Sequence, residues 1–307
     1  MFVSLVISFK NEEKNLSELI KRCVEVVKKN YKYEIIFVDD ASNDKSLEIL
    51  LNYRKENKNI KIITTSRTFG VSPCVLAGFE KAKGDVIIYM DSDLQDPPEI
   101  IDELINKYKE GFEVVHTVRR KRYGESFFKI FLTKIAYKLI NLFSDIELLE
   151  NAGDFKLISR NAINEILKIQ DADPYLRGLS VWVGYKQTYI SYERQPRLYG
   201  RSKFTFFNNL NPYKEFIRGI TSFSLVPLYF SLFIGVIFSL ISFIFLVVVI
   251  LHKYLGLNLP GWSAIMVAIL FFGGMILFTL GLLGIYIGNI FKQVQGRQKY
   301  IIKNFYD

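Results

Sequence analysis

The chain is 307 residues long, half hydrophobic and 23% charged, with a formal net charge of +9. That composition excludes a disordered chain. The spread of apolar residues excludes an ordinary soluble domain, because residues 219–251 and 254–291 contain no Asp, Glu, Lys or Arg and each run exceeds the roughly 20 residues that span a bilayer.

Residues 1–9 are apolar but lack a basic n-region and a small-residue cleavage site, and they run directly into Lys10, Asn11, Glu12 and Glu13. They read as the first strand, over 3–9, and not as a signal peptide. Helical spacing follows over 16–29, with Asn15 or Asn11 able to cap it. A short strand over 34–38 ends at Asp39 and Asp40. A helix over 46–55, a strand over 60–64, a helix over 73–82 and a strand over 85–90 continue the series. Alternating strands and helices predict an α/β domain with a mainly parallel sheet and helices on both faces. Such sheets bind ligands at the carboxyl ends of their strands, where Asp39, Asp40, Asp91 and Asp93 fall. Cys23 and Cys74 stand at no metal-like spacing and read as reduced packing residues.

Residues 127–143 differ, because Lys129, Lys134, Lys138 and Asn141 share one side while Phe128, Phe131, Leu132, Ile135 and Leu139 dominate the rest. A basic amphipathic helix of this kind suits a membrane interface; the alternative is a core helix whose lysines snorkel to water. A second interfacial segment is expected over 204–224, rich in Phe and Tyr. The expected organisation is a globular domain over 1–203, the interfacial segment, a transmembrane helix over 225–251, a far-side loop over 252–262, a second transmembrane helix over 263–291, and a basic tail over 292–307.

Lys203, Lys214 and Arg218 precede the first span, and Lys292, Arg297, Lys299 and Lys303 follow the second, whereas the loop between carries only His252 and Lys253. By the positive-inside rule the domain and both ends face the cytoplasm. The positive charge then meets anionic membrane lipids, and no nucleic acid is required. Gly284 and Gly288 form a small-xxx-small pair in the second span. It permits close packing within the hairpin or with a second copy in a homo-oligomer, and the sequence does not choose. His116 and His252 lie too far apart to suggest a shared metal.

The strongest chemical signal is the apolar run 86–90 leading into Asp91-Ser92-Asp93-Leu94-Gln95-Asp96-Pro97-Pro98-Glu99. Pro97 and Pro98 stop the strand from continuing. Two carboxylates at such a turn can hold a hard divalent cation that bridges the phosphates of a nucleoside diphosphate and stabilises charge on the leaving group.

On these residues, with Asn11-Glu12-Glu13, Val38-Asp39-Asp40-Ala41-Ser42-Asn43-Asp44, Gly153-Asp154-Phe155, Arg177-Gly178-Leu179, the run 197–203 and Gly219-Ile220-Thr221-Ser222-Phe223-Ser224, the chain resembles family 2 glycosyltransferases of the GT-A fold. Within them it is similar to polyprenyl-phosphate sugar transferases, including dolichyl-phosphate mannose synthases and bacterial undecaprenyl-phosphate glucosyltransferases. The resemblance covers nearly the whole chain. It implies that Glu12 and Asp40 contact the nucleoside, beside Asp39 and Asp91, and that Asp91, Asp93 and Gln95 bind Mg2+ or Mn2+. It implies that Arg122 and Ser126 bind the acceptor phosphate, and that Arg197 and Lys203 lie near the diphosphate and the acceptor. Asp154, with Asp93, is the implied catalytic residue, as base or as orienter.

The implied reaction is inverting transfer of a sugar, glucose favoured, from a UDP-sugar to a polyisoprenyl phosphate such as undecaprenyl phosphate; GDP-mannose and other donors stay open. Ser8 and Arg218 depart from the family pattern, which has Pro and often Asp there, and the linker before Gly219 is longer. Two rivals are a processive polysaccharide synthase and a catalytically silent scaffold. The first normally carries a Q-x-x-R-W signature that this chain lacks, and the intact acidic residues weigh against the second.

Overall fold

A computed structural model describes residues 1–119, 138, 141–142, 149, 152–193, 219–255 and 261–307. Most of the expected amphipathic helix over 127–143, residues 204–218 of the expected interfacial segment, and Arg122, Ser126, Arg197 and Lys203 lie outside the described residues.

Among the described residues the strands form one eight-stranded mixed sheet. Strands β1 (Phe2–Phe9), β2 (Lys32–Asp39), β3 (Ile60–Thr65) and β4 (Val86–Asp91) alternate with helices α1 (Leu16–Asn30), α2 (Ser46–Glu56) and α3 (Val71–Lys81). A 3-10 turn (Pro98–Ile100) and α4 (Ile101–Lys109) lead to β5 (Val114–Arg119). Then come β6 (Ala152–Ser159), α5 (Arg160–Lys168), α6 (Leu176–Trp182) and β7 (Gln187–Tyr192). Two long helices, α7 (Val226–Tyr254) and α8 (Trp262–Val294), precede a last strand, β8 (Ile302–Tyr306). The strand order is β7-β5-β6-β4-β1-β2-β3-β8.

The apolar runs of the strands are buried on both sides, as expected of a parallel sheet covered by helices. Because successive side chains point to opposite faces, Leu5, Ile7, Ile35, Phe37, Ile88 and Met90 pack with α1, α2 and α4. Val6, Ile36, Val38, Ile87 and Tyr89 pack with α3 and α5 on the other face. Cys23 and Cys74 are buried free thiols in these two separate layers, so the sheet stands between them.

The chain runs outward from β1 through β2 to β3, then returns to place β4 on the other side of β1, with all these pairs parallel. That reversal opens a crevice beyond the carboxyl ends of β1 and β4. β6 then runs antiparallel to β4, pairing Tyr89 with Lys156. Continuing that register by two residues sets Asp154 beside Asp91, at the mouth of the crevice.

Residues 292–307, expected as a basic tail, contain a strand that the expectation lacked. β8 pairs antiparallel with β3 and covers what is otherwise an open sheet edge. Helices α7 and α8 contain segments Val226–Ile244 and Phe271–Val294 that are long and apolar enough to cross a membrane. Phe230, Leu232, Phe233, Leu277 and Phe278 are all exposed on them. Pro227 fits the first turn of α7, where its missing N–H is not needed. Phe238 of α7 stacks edge-on with Phe271 and Phe272 of α8, at ring separations of 5.3 and 6.1 Å.

Candidate active site

The acidic groups expected from the sequence come together at the crevice, though they do different jobs. Glu12 lies in the turn between β1 and α1. Its carbonyl accepts from the Asn15 and Leu16 backbone N–H groups, and its carboxylate accepts from Asn15 Nδ2 at 2.7 Å. This turn is zipped to the one after β2. Asn11 N–H donates to Ser42 Oγ, Glu12 N–H donates to Ser46 Oγ, and Asn43 N–H donates to Asn11 Oδ1. Asn11 and Ala41 both take the left-handed conformation, with φ of 55°, an uncommon state for residues other than glycine that marks how tightly the two turns interlock.

Asp39 is buried and accepts the Ser42 N–H at 2.9 Å. Burial pushes its carboxyl pKa up, against the lowering effect of the Ser42 hydrogen bonds. Asp40 spends one oxygen on the Phe69 N–H at 2.7 Å and the other on the Gly70 N–H at 3.0 Å. It therefore stabilises the start of α3, where a negative charge is favourable. Each oxygen keeps further acceptor capacity, so this bracing role leaves the expected nucleoside contact open.

The segment after β4 is the most charged part of the site. Asp91 ends the strand and accepts from Tyr89 Oη at 3.0 Å. Leu94 adopts φ of 58°, which turns the chain so that the Gln95 N–H reaches Asp93 Oδ1 at 3.2 Å. Asp96 is fully buried. It accepts from Tyr192 Oη and lies 3.7 Å from Arg119 Nη2. Arg22 of α1 grips Glu99 through Nε at 2.8 Å and Nη2 at 2.7 Å, a two-point contact that anchors the far end of the segment.

Asp91 therefore sits under burial and beside Asp154, Asp96 and Asp93, and these causes, in that order, raise its carboxyl pKa. Such crowding of like charge is costly, and a divalent cation would relieve it. Asp91 and Asp93, with Gln95 beside them, suit Mg2+ or Mn2+, which take one or two carboxylates and leave room for substrate phosphates. Among the described residues no group of three or more His, Cys, Asp or Glu side chains converges as a ready-made metal cage.

Asp154 lies on β6 and is gripped by Arg177 of α6, with Nε to Oδ1 at 2.7 Å and Nη2 to Oδ2 at 2.5 Å. Two residues along the strand, on the same face, Lys156 donates to Ser180 Oγ at 3.1 Å. The spacing matches at both ends, since strand residues two apart share a face and helix residues three apart do too. Burial opposes ionisation of Asp154, but Arg177, Lys156 and Arg119 outweigh it and hold the carboxyl well below the usual range. Lys156 moves down to about 8, chiefly through burial.

A family model, Glycosyl transferase family 2, matches residues 4–167, the stretch that carries the crevice and every acidic residue described above. The chain belongs to glycosyltransferase family 2. Membership of the family extends to whole-length relatives. The chain is 40% identical to glycosyltransferase sll0501 of Synechocystis, over 99% of this chain and 95% of that protein. It is 35% identical to the SfII prophage-derived bactoprenol glucosyl transferase of Shigella flexneri, over 99% and 98%. The prophage bactoprenol glucosyl transferase homologue of Escherichia coli K12 is 34% identical, over 99% of each. This protein is thus a glycosyltransferase with a GT-A-type sheet, and the alignments run through its two apolar helices.

Four residues of the site had no role on sequence grounds: Arg177, Lys156, Arg119 and Tyr192. Arg177 stood in a recognised stretch, and Asp96 in the acidic segment, so their importance was signalled. Their partners were not, because Arg177 is 23 positions from Asp154 and Tyr192 is 96 from Asp96.

Proposed function

We propose that this glycosyltransferase moves a sugar, glucose favoured, from a UDP-sugar to a polyisoprenyl phosphate at the cytoplasmic face of a membrane. The observation that carries this reading is the Asp154–Arg177 pair. A carboxylate held by a two-point guanidinium contact is a poor proton acceptor. It suits a nucleophile that arrives already ionised, and a phosphate monoester, whose second pKa is about 6, is such a nucleophile at neutral pH. Relatives named as bactoprenol glucosyl transferases over almost their full length support the same acceptor.

In the inverting step, an acceptor phosphate oxygen forms a bond to the anomeric carbon as the bond from that carbon to the diphosphate breaks. The electron pair leaves on the nucleoside diphosphate, and no proton has to move. Asp154, fixed by Arg177, orients the acceptor; Glu12, Asp39 and Asp40 line the nucleoside side of the crevice. Asp91, Asp93 and Gln95 would hold a divalent cation, which supplies Lewis-acid stabilisation of the leaving charge. Arg122, Ser126, Arg197 and Lys203 are proposed to bind the phosphates, and residues 127–143 to rest on anionic lipid. Positioning and electrostatics then supply most of the acceleration.

The test is transfer of radiolabelled sugar from a panel of nucleotide sugars into extractable lipid, using full-length protein, undecaprenyl phosphate, and magnesium, manganese or a chelator. Metal-dependent label in the lipid, lost in Asp93→Ala, is expected. Folded protein that binds nucleotide and metal yet labels no lipid from any donor would overturn the acceptor assignment.

A further inference from the structure

The clamp on Asp154 is joined to the membrane hairpin by a continuous set of contacts. Arg177 sits on α6, whose next residue, Gly178, is buried. The Phe223 ring occupies the space a side chain would take there: a methyl built on Gly178 would lie 2.2 Å from Phe223 Cε2 and 2.9 Å from Tyr175 Cδ1. Only glycine admits so close an approach. Tyr175, just before α6, packs against Phe223 at a ring separation of 6.3 Å. Phe223 ends a helical stretch over 219–223 that leads into α7. The following residue, Ser224, is tied from both sides: its carbonyl accepts from Tyr286 Oη of α8 at 2.8 Å, and its hydroxyl accepts from the Val226 N–H at 3.1 Å. Tyr286 and Ser224 are both buried although most of the two long helices is exposed. Helix α6 is therefore held on one face by Asp154 and Lys156 and on the other by the root of the hairpin.

We propose that Phe223 is a positioning residue for sugar transfer, seating Arg177 against Asp154 so that the orienting carboxylate takes its working place only when the hairpin root is docked on α6. This rests on the proposed role of Asp154. The geometry couples the site to the element that carries the lipid-facing helices, which is where registration matters for an acceptor whose phosphate sits at a membrane surface. Nucleoside binding, on the Glu12 and Asp40 side of the crevice, lies outside this connection. Loss of Phe223 should accordingly lower turnover and spare the donor, since small misplacements of a catalytic group reduce rate steeply.

The experiment uses the full chain in lipid nanodiscs, with Phe223→Ala, Phe223→Leu and Gly178→Ala. Three quantities are read: kcat for transfer to undecaprenyl phosphate, the donor dissociation constant, and amide hydrogen exchange. Phe223→Ala and Gly178→Ala are expected to lower kcat by about tenfold or more, with donor affinity changed by less than about twofold. Exchange should quicken over residues 175–182 and stay unchanged in α3. Phe223→Leu, which refills most of the space, should recover most of the rate. Phe223→Ala combined with Arg177→Lys should be no worse than Arg177→Lys alone, as expected of residues acting through one another. Wild-type kcat in Phe223→Ala, or parallel loss of donor binding and of protection throughout the domain, would overturn the proposal. If the wild type labels no lipid, the acceptor assignment fails by itself. The exchange comparison then still decides the coupling, with loosening confined to 175–182 supporting it and no change sinking it.

Discussion

His116 is 2% exposed on β5, with its Nε2 2.9 Å from Gln187 Oε1. Burial, and then the nearby Lys156 charge, push its pKa down to about 4, against a smaller raising effect of Gln187. The folded state therefore binds a proton less readily than the unfolded chain, whose imidazole titrates near 6.5. Stability tied to this residue is complete above that value and is lost as the pH falls towards the folded pKa. The loss is on the order of 2 kcal/mol by about pH 5. His116→Gln keeps a partner for Gln187 and removes the titration. Its thermal midpoint is expected to fall less than that of the wild type between about pH 7 and pH 5, and equal slopes would refute the assignment. From the sequence His116 could only be set aside as unsuited to a metal shared with His252. That it is a satisfied core residue depends on Gln187, 71 positions away.

At the scale of elements, α5 begins at a serine cap. The Ser159 hydroxyl accepts the Ala162 N–H and donates to Glu113 Oε2, both at 3.2 Å. Ser159→Ala is expected to lower unfolding free energy by about 1 kcal/mol, read as a shift in urea midpoint with unchanged slope. The first four strands and three helices were legible because their signals are local: apolar runs of strand length, helical spacing, and polar turns between. Their ends move by a residue or two, as helix and strand ends do. What the pattern did not contain is pairing. β6 enters the sheet antiparallel between β4 and β5, and that choice, made between strands far apart in sequence, is what brings Asp154 to Asp91.

For the molecule as a whole, the last turn of α8 and the segment after it strap the sheet domain to the second long helix. Gln293 Nε2 donates to the Gln170 carbonyl and Tyr300 Oη donates to Glu80. The Ser66 N–H donates to the Ile301 carbonyl. At the far end Lys61 bridges Asp307 at 2.5 Å and Glu34 at 2.9 Å. Glu34 is 1% exposed and also accepts from Ser4 Oγ and the Lys83 N–H. Lys61→Met strands a buried carboxylate, which costs about 3–5 kcal/mol when such a pair is broken. A large drop in thermal midpoint is expected, recovered in good part by adding Glu34→Gln. A drop that Glu34→Gln fails to reduce would show that packing of the lysine stem, and not the charge, is responsible.

The sequence alone determined the α/β class, the two apolar spans and the acidic segment after the fourth strand, because each is written in contiguous residues with a local physical meaning, and its motifs, in their order along the chain, carried the resemblance to a glycosyltransferase family. It also named Asp154 and the stretch containing Arg177. Only the tertiary structure decided that these two form one clamp, that Asp96 is turned inward to Tyr192 and Arg119, that Phe223 fills the space over Gly178, and that residues 302–306 return to close the sheet. Each of those is a contact between segments distant in the chain. Strand order and helix docking settle which side chains meet, and neither is encoded in the spacing of any one segment.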